Sequence, residues 1–204
     1  MNEIVGIAEK LLGRSLDSND GINIKNIEEV EYIIETNLPK YLREFYLKVG
    51  NIKLFTQSFE QFIDVDKLYF KNNKLVFLEE NQNVCIWGIN TNTNENDPIV
   101  YQNANDEWYS KDIKLSEFIK IIMYYQCATG YENANNLILD KIELDKIITG
   151  MEKVVDNDHL IIFWGNNILL WYYTDEDNKI INNSIIISGL TDENINEFKK
   201  KNNL

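Results

Sequence analysis

Residues with chemical reach are few in this chain. It holds one histidine, His159, and two cysteines, Cys85 and Cys127. A two-histidine metal site, a Ser-His-Asp triad or a Cys-His dyad with a spare base cannot be built around one imidazole. Cys85 sits inside an apolar strand pattern, whereas a reactive thiol needs an accessible, electropositive setting. The expectation is two buried, reduced thiols and a satisfied or exposed His159 beside the turn Asp156–Asp158. No G-x-G-x-x-G follows a strand and no Walker-type Gly-Lys-Ser/Thr occurs, so no loop is expected to cradle phosphate. Asp175-Glu176-Asp177 resembles the start of a calcium loop, but the central glycine and distal glutamate are missing. A solvated hairpin tip is the expected form there. No catalytic residue, cofactor or metal is expected. Pairs of carboxylates at glycosidase separation arise by chance in so acidic a chain and identify nothing.

What remains is recognition. Acidic residues gather in loops beside aromatic strands: Glu79 and Glu80, Glu95 and Asp97, and Asp106 and Glu107 next to Trp108 and Tyr109. An acidic rim around aromatic anchors suits a basic protein partner, since aromatics supply contact energy and charge supplies steering. These eight residues are the candidate partner-binding set. The plainer alternative is a core Trp and an ordinary solvated acidic surface. Trp87 is read as core, and Trp108 fits either role. The net charge of −13 over 204 residues speaks against nucleic acid, which needs clustered Lys and Arg. It favours a basic partner, or else maintains solubility alone.

These residues must be positioned by a globular framework. Hydrophobic content is 44% and aromatic content 12%, above the range of disordered chains, and the length suits a single domain. No apolar run approaches a membrane span, and Glu3 and Glu9 interrupt any signal-peptide pattern, so a cytoplasmic protein is expected. The abundant asparagine is read as genome composition without mechanism.

The organising stretch is Leu75–Ile89. Two apolar runs, Leu75–Leu78 and Val84–Ile89, flank the polar link Glu79–Asn83, which predicts an antiparallel hairpin covered on both faces. Three helices precede it. The first carries Ile4, Ile7, Ala8, Leu11 and Leu12, with Gly13 as its stop. The second is capped by Asn26, with a stripe of Ile27, Val30 and Ile34. The third opens at Leu38-Pro39, shows Leu42, Phe45, Tyr46 and Val49, and ends at Gly50. Residues 52–70 are ambiguous. After the polar loop Asn90–Asp97, Pro98–Tyr101 and Glu107–Tyr109 read as strands around a turn at Asn103–Asp106. Ser116 begins a helix with Phe118, Ile121, Ile122 and Tyr125 on one stripe, closing near Gly130. Further on, Leu144, Ile147, Ile148 and Met151 predict a helix face, and Leu160–Phe163, Ile168–Tyr173 and Lys179–Ser188 predict strands. Turns are expected at Gly165-Asn166 and Asp175–Asn178. Thr191 caps a last helix, with Asp192 and Glu193 at its start and Lys199–Lys201 at its end. Helices on either side of a mostly antiparallel sheet mean α+β.

The series running from Leu38-Pro39 with Tyr41, Phe45 and Tyr46, through Glu79-Glu80-Asn81-Gln82 and Val84-Cys85-Ile86-Trp87-Gly88, to Asp97-Pro98, Trp108-Tyr109 and Leu115-Ser116-Glu117-Phe118 resembles the SUKH superfamily. That group takes in bacterial toxin-immunity proteins and fungal Smi/Knr cell-wall-synthesis regulators. The resemblance covers about residues 26–128. Gly50-Asn51 stands where many relatives carry Gly-Gly, and residues 131–204 match only loosely, as an extension of the sheet with a closing helix. It implies a SUKH-like α+β fold in a single domain over 1–204: N-terminal helices packed on a central, mostly antiparallel sheet, with a C-terminal strand-and-helix extension. The implied role is a non-catalytic immunity protein that binds a cognate toxin domain in the cytoplasm, often a nuclease. The alternative is a regulatory scaffold for endogenous partners, with a small hydrolase a distant third.

Overall fold

The structure, a computed structural model, describes residues 3–91, 95–181 and 184–204. It is α+β, and the chain divides into two compact units. One comprises the residues up to Lys10 together with Arg14–Gln126; the other comprises Leu11–Gly13 and Cys127–Leu204.

The first unit starts with helices α1 (Glu3–Leu12), α2 (Ile24–Ile33), α3 (Lys40–Val49) and the single turn α4 (Lys53–Thr56). Gly13 ends α1 at φ +64°, the left-handed conformation that a glycine adopts without a Cβ clash. The cap of α2 differs from expectation. Asn23, not Asn26, accepts from the Lys25 N–H, so the helix begins almost a turn earlier. Ile27 and Val30 are buried as predicted, whereas Ile34 is its half-buried C-cap. Pro39 is the N-cap of α3, and Leu42, Phe45, Tyr46 and Val49 all point into the core.

The ambiguous segment resolves into α4, strand β1 (Gln61–Phe62), a 3-10 turn at Val65–Lys67 and strand β2 (Tyr69–Lys71). Strands β3 (Lys74–Glu79), β4 (Cys85–Ile89), β5 (Ile99–Ala104) and β6 (Glu107–Lys114) follow as an antiparallel meander. The sheet order is β1-β3-β4-β5-β6, with β2 also paired to β3. Leu75–Leu78 are fully enclosed, as the double apolar pattern predicts. The expectation fails for the start of β4, where Cys85, Ile86 and Trp87 are only half-buried and Val84 is 69% exposed. These residues run out to the open end of the sheet, where Cys85 pairs with Ala104 next to the β5–β6 turn. Helix α5 (Leu115–Gly130) then packs Phe118 edge-on to Phe77 at 5.9 Å, and Phe62 stacks on Phe45 at 4.2 Å. α5 is buried around most of its circumference, including Ile119, Met123 and Tyr124, and not along one stripe.

The second unit does not extend that sheet; it has a five-stranded antiparallel sheet of its own. Its elements are β7 (Asn133–Leu137), α6 (Lys141–Ile148), β8 (Glu152–Asn157), β9 (Leu160–Gly165), β10 (Ile168–Tyr173), β11 (Ile185–Gly189) and α7 (Asp192–Asn202). The order is β7-β11-β10-β9-β8. The sequence reading missed β7 and β8, the two edges, because asparagine-rich and charged segments carry little strand propensity. It also began the last strand too early. Only an isolated Thr174–Ile180 bridge precedes Ile185, and residues 182–183 of the predicted strand lie outside the described residues. Leu144 and Ile147 of α6 and Ile195 and Phe198 of α7 close the core over Phe163, Ile168, Leu170, Ile185 and Ile187. Thr191 caps α7 by accepting from the Asn194 N–H, as expected.

Asparagine turns out to have a structural use. Asn72-Asn73, Asn105-Asp106, Asp158-His159 and Asn166-Asn167 turn hairpins with both residues at positive φ. Asn and Asp tolerate that region better than other non-glycine residues, and it is the conformation that two-residue hairpin turns require.

Candidate functional site

The meander brings the end of β3, the start of β4, the end of β5 and the start of β6 to one end of the first sheet. Glu79, Glu80, Asp106, Glu107, Trp108 and Tyr109 therefore gather there. Glu95 and Asp97 lie at the opposite end, where β5 begins. The eight candidates are thus two groups and not one rim.

Along one face the register aligns Glu79, Ile86, Asn103 and Trp108 in a row across four strands. The indole of Trp108 leans from that row across to Gly88. A Cβ built on Gly88 would sit 2.8 Å from Trp108 Cη2, 3.2 Å from its Cζ3 and 3.1 Å from the Leu75 carbonyl oxygen. Lys74 Nζ lies 3.9 Å from the centre of the Tyr101 ring and 5.8 Å from that of Trp108. Burial lowers the pKa of this ammonium, and Asn90 Oδ1 accepts its hydrogen bond at 3.1 Å. Trp108 is half-buried, with its Nε1 enclosed, and much of its surface is spent covering Gly88. Tyr109 is the aromatic turned outward, 53% exposed. Gly88→Ala is expected to displace the indole and cost about 1–3 kcal/mol, the usual range for overpacking. Denaturant unfolding and the tryptophan emission maximum check it.

The carboxylates differ in how committed they are. Asp97 accepts from the Ser116 N–H at 2.8 Å and from Ser116 Oγ at 2.7 Å, capping α5 from outside the helix. Glu80 accepts from the Gln82 and Val84 N–H groups and closes the β3–β4 turn. Glu79 accepts from Tyr69 Oη at 3.1 Å, and burial together with this carboxylate pushes the phenol up to about 12. Asp106 pairs with Lys71 Nζ at 2.7 Å, which holds its carboxyl below the usual range, and the same ammonium bonds Asn103 Oδ1. Glu107 is exposed and accepts from Tyr109 Oη at 2.7 Å. Glu95 is exposed. The carboxylates turned to solvent are therefore Glu95, Asp106 and Glu107, the last two beside Tyr109.

No family model, curated protein or solved structure matches this chain.

Two residues of this end escaped the sequence reading. Glu60, 6% exposed, accepts from the Asn81 N–H of the β3–β4 turn at 3.1 Å. Burial, with Glu80 nearby, pushes its carboxyl up to about 7. Gln126 of α5, wholly enclosed, fastens the segment Ser58–Glu60 beneath that turn through its side-chain amide. Neither had a local signal, because their partners come from distant parts of the chain.

Of the remaining reactive types, the two thiols and the acidic triplet are held within the fold. Cys85 is only half-buried, contrary to expectation, but burial still raises its thiol pKa, and Gln102 Nε2 donates to Sγ at 3.2 Å. Cys127 is buried. His159 is exposed, and its carbonyl accepts from the Thr174 N–H at 2.9 Å. Asp175 Oδ1 accepts from the Asp177 and Lys179 N–H groups, which makes the acidic triplet a self-bonded hairpin tip. Among the described residues no group of three or more His, Cys, Asp or Glu is arranged to hold a metal ion, and no helix is long and apolar enough to cross a membrane.

Proposed function

We propose that this chain is a non-catalytic immunity protein that binds a basic toxin domain, of nuclease type, and blocks it by covering its substrate surface. The observation that carries the reading is the end of the first sheet, where exposed Glu107 stands beside the outward Tyr109 on the edge strand β6, next to the Lys71-paired Asp106 of the preceding turn. An exposed aromatic supplies contact area at low entropic cost, and the carboxylates steer a cationic groove toward it. Net charge of −13 extends that attraction beyond the contact itself. The toxin-binding role rests on the resemblance of residues 26–128 to the SUKH superfamily, and the α+β architecture is the class that resemblance implies. Such a protein acts in the cytoplasm, where its toxin would otherwise reach nucleic acid.

Survival of a bacterial host tests this. Co-expression with a basic toxin domain, sought as the C-terminal domain of a large secreted protein encoded beside this gene, is expected to rescue growth; absence of such a neighbour, or failure to rescue, defeats the reading. Tyr109→Ala is expected to weaken the complex roughly thirty-fold, the loss typical of a hot-spot aromatic. Calorimetric titration against the same domain checks that value.

A further inference from the structure

The helical side of the first unit carries a groove unrelated to the sheet end described above. It encloses about 530 Å³ between α2, the end of α3 and the segment Phe62–Asp66. Its apolar surface includes Ile22, Val30, Ile33 and Val65. Its charged lining is Glu29, Asp64 and Asp66, with no lysine or arginine among the described lining residues. Lys67, just outside, pairs with Asp64 at 2.7 Å and interacts more weakly with Asp66, while Glu29 is exposed with no cation among the described lining residues. The groove is preformed: Tyr46 Oη donates to the Ile63 carbonyl at 2.6 Å, and the Ile22 N–H donates to the Tyr46 carbonyl at 2.9 Å.

The lip of this groove is unusually apolar for a surface helix. Ile33 is 67% exposed, and the adjacent Tyr32 is 84% exposed. Leaving Ile33 in water has no benefit to α2 itself, since Ile27 and Val30 already form its buried stripe.

We propose that this groove receives a basic amphipathic helix of the partner protein. An apolar side chain would seat against Ile33 and Val30, with lysine or arginine set against Glu29, Asp64 and Asp66. Charge complementarity selects that occupant. A second copy of this chain brings carboxylates to carboxylates and is repelled, and a nucleic acid is repelled by the same groups. Apolar anchors at helical spacing inserted between charged walls are the helix-in-groove mode of recognition. The proposal rests on the reading of this chain as a binder of basic protein, and it adds a second contact, in the α2 groove, to the one at the sheet end.

The test uses the whole chain and a fluorescent synthetic helix of leucine and lysine, with a leucine–glutamate helix as control, read by anisotropy. The lysine helix is expected to bind and the glutamate helix to be ignored. Ile33→Ser, and separately the pair Glu29→Lys with Asp66→Lys, are each expected to weaken binding about tenfold or more. All three positions are exposed, so unchanged circular dichroism is expected for both variants. Glu107→Lys with Tyr109→Ala is expected to leave peptide binding within about twofold. If the sheet-end variant loses binding and the groove variants keep it, the groove proposal falls and the acidic-binder reading stands. If Glu197→Lys on α7 weakens binding as much as the groove variants do, the attraction is bulk charge and the groove is again refuted. A wild-type chain that ignores the lysine helix overturns the groove proposal; the co-expression assay then decides the broader reading by itself.

Discussion

Gln126→Leu is expected to destabilise the first unit by about 3–5 kcal/mol, the largest loss of any single polar substitution considered for it. The side chain is fully buried, and its amide does the work of a short strand partner for a segment that has none. Oε1 accepts from the Phe59 N–H at 2.8 Å, the Glu60 N–H at 3.0 Å and Ser58 Oγ at 3.1 Å. Nε2 donates to the Glu60 carbonyl at 2.6 Å and to the Phe55 carbonyl at 3.3 Å. Leucine fills nearly the same volume, so the cost is not a cavity. It is the desolvation of two enclosed backbone N–H groups and the carbonyls opposite them, each of which costs about 1–3 kcal/mol when left unpaired. The midpoint of denaturant unfolding reads the effect. A loss below about 1 kcal/mol would mean that the segment finds other partners.

Glu60→Gln is expected to act in the opposite direction, with an effect that grows as pH rises from about 4.5 to about 7 and is full above it. The carboxyl has an ordinary value of 4.5 and is raised to about 7 in the folded chain. Burial is the main cause; the Asn81 N–H opposes it and the Glu80 carboxylate adds to it. A raised carboxyl favours the folded state while protonated in both states. That stability is fully present below about pH 4.5 and is lost as pH rises through about 7. The full excursion is about 2–3 kcal/mol. Glutamine keeps an oxygen for the Asn81 N–H and carries no charge to bury. The stability difference between variant and wild type is therefore expected to be small at pH 4 and to grow to about 2 kcal/mol or more at pH 8. Asp20 titrates in a separate window: the Arg14 guanidinium at 2.7 Å holds its carboxyl at about 2, so its contribution is lost only as pH falls from near 4 toward 2. A stability difference that stays flat from pH 4 to 8 would contradict the assignment of Glu60.

What the sequence disclosed is what local chemistry determines. Gly13, Leu38-Pro39, Gly50 and Thr191 each mark a helix end through the backbone of their own neighbourhood, and each stands where it was read. Asn23 and Asn26 are both competent caps, and a local reading had no ground for preferring the earlier one. The second sheet was hidden because β7 and β8 lie at its edges, where asparagine and charge are tolerated and apolar alternation is weak. Within the site, Asp106 to Tyr109 are consecutive, so their grouping was legible. Asp97 is adjacent to Pro98 in sequence but serves the N-terminus of α5, a use visible only once β5 and β6 are folded back. Glu60 and Gln126 are 66 residues apart, and Ile33 lies off the periodic stripe of its helix. Periodicity identifies the residues a helix buries against its own domain, and says nothing of those it leaves in water.

The claim at the centre of this account is that an acidic surface holds and silences a basic protein. Titration of the chain into the toxin domain that rescue by co-expression identifies, repeated at low and high salt with toxin activity read in parallel, tests it most directly. The account predicts one-to-one binding, loss of activity at equal stoichiometry, and an affinity that falls about tenfold or more as salt screens the charges. Binding that ignores salt, or a saturated complex that remains active, would contradict it.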